Sequence, residues 1–135
     1  MDKKEIAVSF PGGMRVEAAY KGFTIKTDQP VDEGGEDSAP SPFDLFLASL
    51  ATCAGYYLLA FCLERGIDTK KAGVVMTMER DPQAKMIGRV VIELQLPPGF
   101  PEKYAAAVVK VVDACTVKRH ILKPPAFDVT TRFLT

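Results

Sequence analysis

A surplus of charge is missing: seventeen lysines and arginines balance seventeen aspartates and glutamates in 135 residues. With no cationic excess to neutralise a phosphate backbone, nucleic acid is not an expected partner. Histidine is scarce, with His120 alone, and the three cysteines, Cys53, Cys62 and Cys115, are far apart and form no Cys-x-x-Cys. Zinc-type ligand spacing is therefore absent, and no metal or other cofactor is expected. Gly12-Gly13 and Gly34-Gly35 lie outside any GxxxxGK[ST] or GxGxxG context, which argues against a nucleotide. An odd cysteine count at wide spacing is not the framework of a small secreted disulfide scaffold. Met1-Asp2-Lys3-Lys4-Glu5 lacks the apolar core of a signal peptide, so a cytoplasmic chain with reduced thiols is expected. Neither internal repeats nor low-complexity tracts occur.

What is present is the composition of a packed protein, with 47% hydrophobic and 25% charged residues at a length suited to one domain, 1–135. Ile6 to Phe10 alternates, Pro11-Gly12-Gly13 breaks it, and Met14, Val16 and Ala18 alternate with Arg15, Glu17 and Ala19. Lys21-Gly22 marks a turn before Phe23 to Thr27, so a three-stranded antiparallel meander is expected. Asp28 to Pro42 gathers turn residues and reads as a loop. Val74–Met78 and Met86–Leu96 form a second hairpin around Asp81-Pro82-Gln83-Ala84. Between Pro101 and Pro124, the run Val108 to Val112 is β-branched. The proline at the start, Ala105-Ala106-Ala107 and the spacing of Tyr104, Val108, Val112 and Cys115 nevertheless favour a single helix. Phe127–Phe133 alternates as a last strand. The order βββ-α-ββ-α-β is that of an α+β protein with antiparallel sheet.

The segment Leu45–Leu63 is nineteen residues without a charge. Ser41-Pro42 and Asp44 signal a helix start, and Arg65-Gly66 its end. A helix apolar on all sides must be surrounded by lipid or by protein. Ser49, Thr52, Gly55, Tyr56 and Tyr57 in mid-segment, and strand patterns on either side, favour protein over membrane. A single small chain has too little material to wrap such a rod, so a second copy, forming a two-fold homodimer, is expected to supply the missing walls.

Nine residues separate Cys53 and Cys62, which places them on opposite faces of that helix. Cys53 shares its face with Phe46, Ser49, Tyr57 and Ala60, while Cys115 follows Tyr104, Val108 and Val112. If both faces meet in one core the two thiols approach each other, though spacing alone does not show that they do, and buried free cysteines commonly just pack. His120, five residues beyond Cys115, is not at a spacing that favours contact with its thiol.

The stretch from Gly34-Gly35-Glu36-Asp37-Ser38 through Pro40-Ser41-Pro42-Phe43-Asp44 to Ala51-Thr52-Cys53, with Asp113-Ala114-Cys115-Thr116-Val117-Lys118-Arg119 sixty-two residues after the first cysteine, resembles the OsmC/Ohr-like family. The resemblance implies an intertwined homodimer with two central helices between sheets. It also implies a thiol peroxidase: Cys53 attacks the O–O bond of a hydroperoxide, Cys115 resolves the resulting sulfenic acid to a disulfide, and an external dithiol, thioredoxin-like or lipoylated, resets the pair. An apolar pocket would favour organic hydroperoxides. Two further residues bear on activation. Arg15 is the candidate for the arginine that holds the thiolate in the well-studied branches, but Phe43 stands where those branches carry a glutamate after the helix-leading proline. Thr116 stands where the family often has proline. The competing reading is a binding protein on the same scaffold, holding an apolar or electrophilic small molecule at the dimer interface.

Overall fold

The computed structural model describes residues 3–135. Met1 and Asp2, which open the stretch read above for a signal peptide, lie outside the described residues. The chain forms two compact units, one up to Ala48 and one from Ser49 onward.

In the first unit β1 (Ala7–Gly12), β2 (Arg15–Tyr20) and β3 (Phe23–Thr27) make the expected antiparallel meander. Val8 lies opposite Ala18 and Ala18 opposite Ile25, so the alternating apolar residues share one face. Much of that face is bare: Val8, Phe10, Phe23 and Ile25 are all exposed, Phe10 by 80%.

The loop after β3 is organised by a residue that the sequence did not single out. Asp28 is buried, and its carboxylate accepts from the Ser38 hydroxyl at 2.6 Å and from the main-chain N–H groups of Gln29, Glu36 and Ser38 at 2.8, 3.2 and 3.1 Å. These bonds, led by that from the Ser38 hydroxyl, hold its pKa down at about 2 against an ordinary 3.8. The lowered value means that the ionised carboxylate favours the closed loop. The contribution is complete above about pH 4 and is lost as the pH falls through about 2. Amide exchange at Ser38 is thus expected to accelerate between pH 4 and pH 2, beyond the intrinsic trend, and Asp28→Asn should remove that excess. Equal pH dependence in both proteins would contradict the assignment.

The long helix α1 (Pro42–Glu64) runs where the sequence places it. Ser41 Oγ accepts from the Asp44 N–H at 3.1 Å while Asp44 Oδ2 accepts from the Ser41 N–H at 3.0 Å, a reciprocal cap that satisfies two orphan donors. At the far end the Gly66 N–H reaches the Leu63 carbonyl and the Ile67 N–H the Cys62 carbonyl, with Gly66 at φ 65°, a left-handed stop that needs glycine.

In the second unit, β4 (Gly73–Asp81) and β5 (Met86–Gln95) form the second hairpin. Asp81 Oδ1 closes its turn by accepting from the N–H groups of Gln83 and Ala84. Ala54, Leu58, Phe61 and Cys62 of α1 pack with Val108 and Val112, and Val74, Ile92 and Leu94 of the hairpin cover them. The buried α1 residues of this unit fall on one side of the helix. Tyr56, Leu59 and Leu63 on the remaining surface are exposed.

Two expectations need correction. The single helix expected between Pro101 and Pro124 is broken: a short 3-10 turn (Glu102–Tyr104) leads into α2 (Ala105–Asp113), and α3 (Thr116–Leu122) begins afresh. Ala114 leaves helical geometry and Cys115 is extended, with φ −60° and ψ 148°. The break turns Cys115 inward to 2% exposure and frees its sulfur to cap the next helix. The last strand, Phe127–Phe133, does not form. Residues 124–135 carry no regular structure, and Phe127, Val129 and Phe133 are at least 82% exposed. Alternation alone supplies no neighbouring strand to pair with, and an isolated strand has nowhere to place its hydrogen bonds.

Candidate active site

Cys53 sits in the middle of α1, half-buried, far from the terminal turns in which a helix dipole acts. Cys115 is the N-cap of α3, where its Sγ accepts the Lys118 N–H at 3.4 Å. The fold brings these two thiols, sixty-two residues apart, into side-chain hydrogen-bond contact. Both remain free thiols, as does Cys62, which is fully buried in the core beside Phe61.

Burial pushes the Cys115 thiol up from its ordinary 9.0. The Lys118 N–H pulls it back, the hydrogen bond with Cys53 and the charge that Cys53 carries when ionised push it up further, and the Lys118 cation opposes them. The net direction is upward, so the Cys115 thiol resists ionisation. Two free thiols held in contact can close to a disulfide when one of them is oxidised. Cys62 is also pushed up by burial, with Arg65 opposing.

Beside the sulfurs, Tyr57, one turn after Cys53, shares a 2.8 Å hydrogen bond with the hydroxyl of Thr116, the residue after Cys115. Lys118 is held by Asp113 in an ion pair. His120 is exposed and donates from Nδ1 to the Thr116 carbonyl at 2.7 Å, and so serves the helix rather than a thiol. Cys115 also lines an apolar cavity of about 490 Å³ walled by β5, α2 and α3, among them Ile92, Val108, Val112 and Ile121, with Asp113 and Lys118 its charged lining among the described residues. Space of this kind suits an apolar small molecule.

Arg15, the other candidate, belongs to the first unit. It opens β2, and its Nε donates to the Gly12 carbonyl across the hairpin at 3.2 Å. Phe43 stacks on Phe46, and the carboxylate of Asp44 is engaged by the Ser41 cap. Among the described residues no cluster of three or more His, Cys, Asp or Glu is arranged to hold a metal ion. The sequence singled out the two cysteines, but not the bonds that Tyr57, Thr116 and Lys118 make beside them. Cysteine is not a residue whose presence signals a helix cap, so the turn that brings Thr116 and Lys118 round the sulfur had no mark in the pattern.

The sequence profile of the OsmC-like proteins matches residues 35–130. No curated protein matches the chain in sequence. Several solved structures share its fold. A Psychrobacter arcticus 273-4 protein assigned to the osmotic stress and detoxification response is 23% identical, with a TM-score of 0.71 and 88% of each chain covered. An OsmC-like protein from Mycoplasma pneumoniae is 17% identical, with a TM-score of 0.65 over 91% of this chain and 89% of that one. An organic hydroperoxide resistance protein from Legionella pneumophila is 16% identical, with a TM-score of 0.56 over 90% of each. At these identities the likeness is one of fold.

Proposed function

The chain belongs to the OsmC-like protein family, and from that premise we propose that it is a thiol-dependent peroxidase for organic hydroperoxides. The observation that carries the reading is the contact between Cys53 and Cys115. The Cys53 thiolate attacks the distal peroxide oxygen, the O–O bond breaks, and the alkoxide takes a proton and leaves as the alcohol. Cys115 then attacks the sulfur of Cys53 sulfenic acid, forming the disulfide as hydroxide leaves with the Cys115 proton as water. An external dithiol, thioredoxin-like or lipoylated, exchanges with the disulfide and restores both thiols.

The test is stoichiometric. Reduced protein treated with one equivalent of cumene hydroperoxide should lose two thiols promptly. Cys115→Ser should instead accumulate sulfenic acid at position 53. Serine keeps an acceptor for the Lys118 N–H, so this variant retains the α3 cap. Slow oxidation at equal rates in wild type, Cys53→Ser and Cys115→Ser would sink the reading. It would favour the second one, a cytoplasmic binding protein whose apolar cavity holds a small molecule and whose cysteines only pack.

The same reading includes a homodimer. In its favour stand the bare apolar face of the β1–β3 meander and the exposed Tyr56, Leu59 and Leu63 on a helix long and apolar enough to cross a bilayer, yet buried along one side against protein. Sedimentation equilibrium is expected to give twice the chain mass, and Tyr56→Glu should shift the protein toward monomer. A wild-type monomer at micromolar concentration would remove the dimer from the proposal.

A further inference from the structure

Each sulfur of the pair is set in a different kind of backbone. Cys53 is fixed in the middle of a 23-residue helix, whereas Cys115 stands in the two-residue gap between α2 and α3, the point at which helical geometry is lost. The cap bond from the Lys118 N–H ties Cys115 to the helix that follows it, not to α1. Beside the thiol–thiol contact, a side-chain hydrogen bond between Tyr57 and Thr116 joins this gap region to α1. Its geometry is matched to the sulfurs. Tyr57 lies one turn beyond Cys53, on the same side of α1. Thr116 directly follows Cys115 and occupies the first position of α3, where proline would suit the backbone equally well but would bring no hydroxyl.

We propose that the Tyr57–Thr116 hydrogen bond is a clip that positions Cys115 for closure onto Cys53, so that Tyr57 and Thr116 are positioning residues for the resolving step. The proposal rests on the two-cysteine reading above and concerns its second half. Once Cys53 has been oxidised, its sulfur carries a new substituent, so the thiol–thiol contact seen in the reduced pair no longer has the same partners or geometry. Disulfide formation requires the sulfurs to come to about 2.05 Å at a defined dihedral angle. The clip uses neither sulfur, so it keeps Cys115 at high effective concentration whatever substituent Cys53 carries. The Tyr57–Thr116 bond is solvent-exposed, so its effect should be seen in the closure rate more than in stability.

Closure can be followed without hydroperoxide. Cys53 attacks dithiodipyridine, giving a mixed disulfide and one thiopyridone; Cys115 then attacks the Cys53 sulfur, forming the protein disulfide and expelling a second thiopyridone. The second phase, identified as the one missing in Cys115→Ser, reports closure directly. Tyr57→Phe and Thr116→Val are each expected to slow it by about three- to tenfold, the kinetic equivalent of one net hydrogen bond. Thr116→Ser, which retains the hydroxyl, should close within twofold of wild type. The double variant Tyr57→Phe/Thr116→Val should be no slower than either single one, because both remove the same bond. Closure unchanged in Tyr57→Phe and Thr116→Val, or Thr116→Ser as slow as Thr116→Val, would overturn the clip. A wild type that closes rapidly with dithiodipyridine but ignores cumene hydroperoxide would overturn the peroxidase reading alone, with the clip still judged by its variants.

Discussion

Cys53→Ser should abolish hydroperoxide consumption, with a loss on the order of 10³-fold or more, because a serine hydroxyl is essentially un-ionised near neutrality while a thiolate is the competent nucleophile. The substitution removes one sulfur from a half-buried site in mid-helix and leaves the core residues Leu58, Phe61 and Cys62 in place, so circular dichroism and the unfolding midpoint should be nearly those of wild type. Cys115→Ser gives a different signature. It should support one turnover and then stall as sulfenic acid, because the first step needs Cys53 and only the second needs Cys115. The contrast between the two variants is the informative quantity, as both lose steady-state turnover. Comparable residual turnover in Cys53→Ser and wild type would mean that the thiol contact is only packing.

Gly35→Ala is expected to have the largest effect on stability. A Cβ at position 35 would lie 1.9 Å from the Gln29 carbonyl oxygen and 2.5 Å from its carbon. The obstruction is main chain, which cannot swing aside as the end of a side chain can. The same main chain is tied down locally: the Gly35 N–H reaches the Pro30 carbonyl at 3.1 Å, the Asp37 N–H reaches that of Gln29 at 3.0 Å, and the Asp28 carboxylate gathers Glu36 and Ser38. Relief requires opening this loop, at a cost of about 3 kcal/mol or more, as for severe overpacking. A fall in Tm of roughly 10 °C follows for a domain of this size. Scanning calorimetry with urea titration checks the value. A midpoint within about 1 °C of wild type would show that the loop does not take this path in solution.

Much of the architecture was legible because it is local. The boundaries of α1 are written in Ser41, Pro42, Asp44 and Gly66, each of which acts on hydrogen bonds within a turn of itself. The first meander is marked by alternation and by turns at Gly13 and Gly22, both at positive φ. Val108 and Val112 were read as an inward helical face in spite of their β-branching, and they are buried there. The alternation of Phe127 to Phe133 misled for the complementary reason: period two states which residues would share a face, but a strand exists only when a neighbour accepts its hydrogen bonds.

The site divides along the same line. The sequence by itself determined which atoms are available for chemistry, namely three thiols, one histidine and no metal-binding spacing, together with the length and apolar character of the helix that carries Cys53. Only the tertiary structure decided that Cys115, not Cys62, meets Cys53, that Cys115 holds its proton through burial and its neighbour, and that Tyr57 and Thr116 join hands beside them. The physical reason is range. Caps, turns and periodicity are governed by residues within a few positions of one another, whereas the approach of two sulfurs across sixty-two residues is fixed by how α1, α2 and the second hairpin share a core, and by a two-residue break in helix geometry that no local pattern announced.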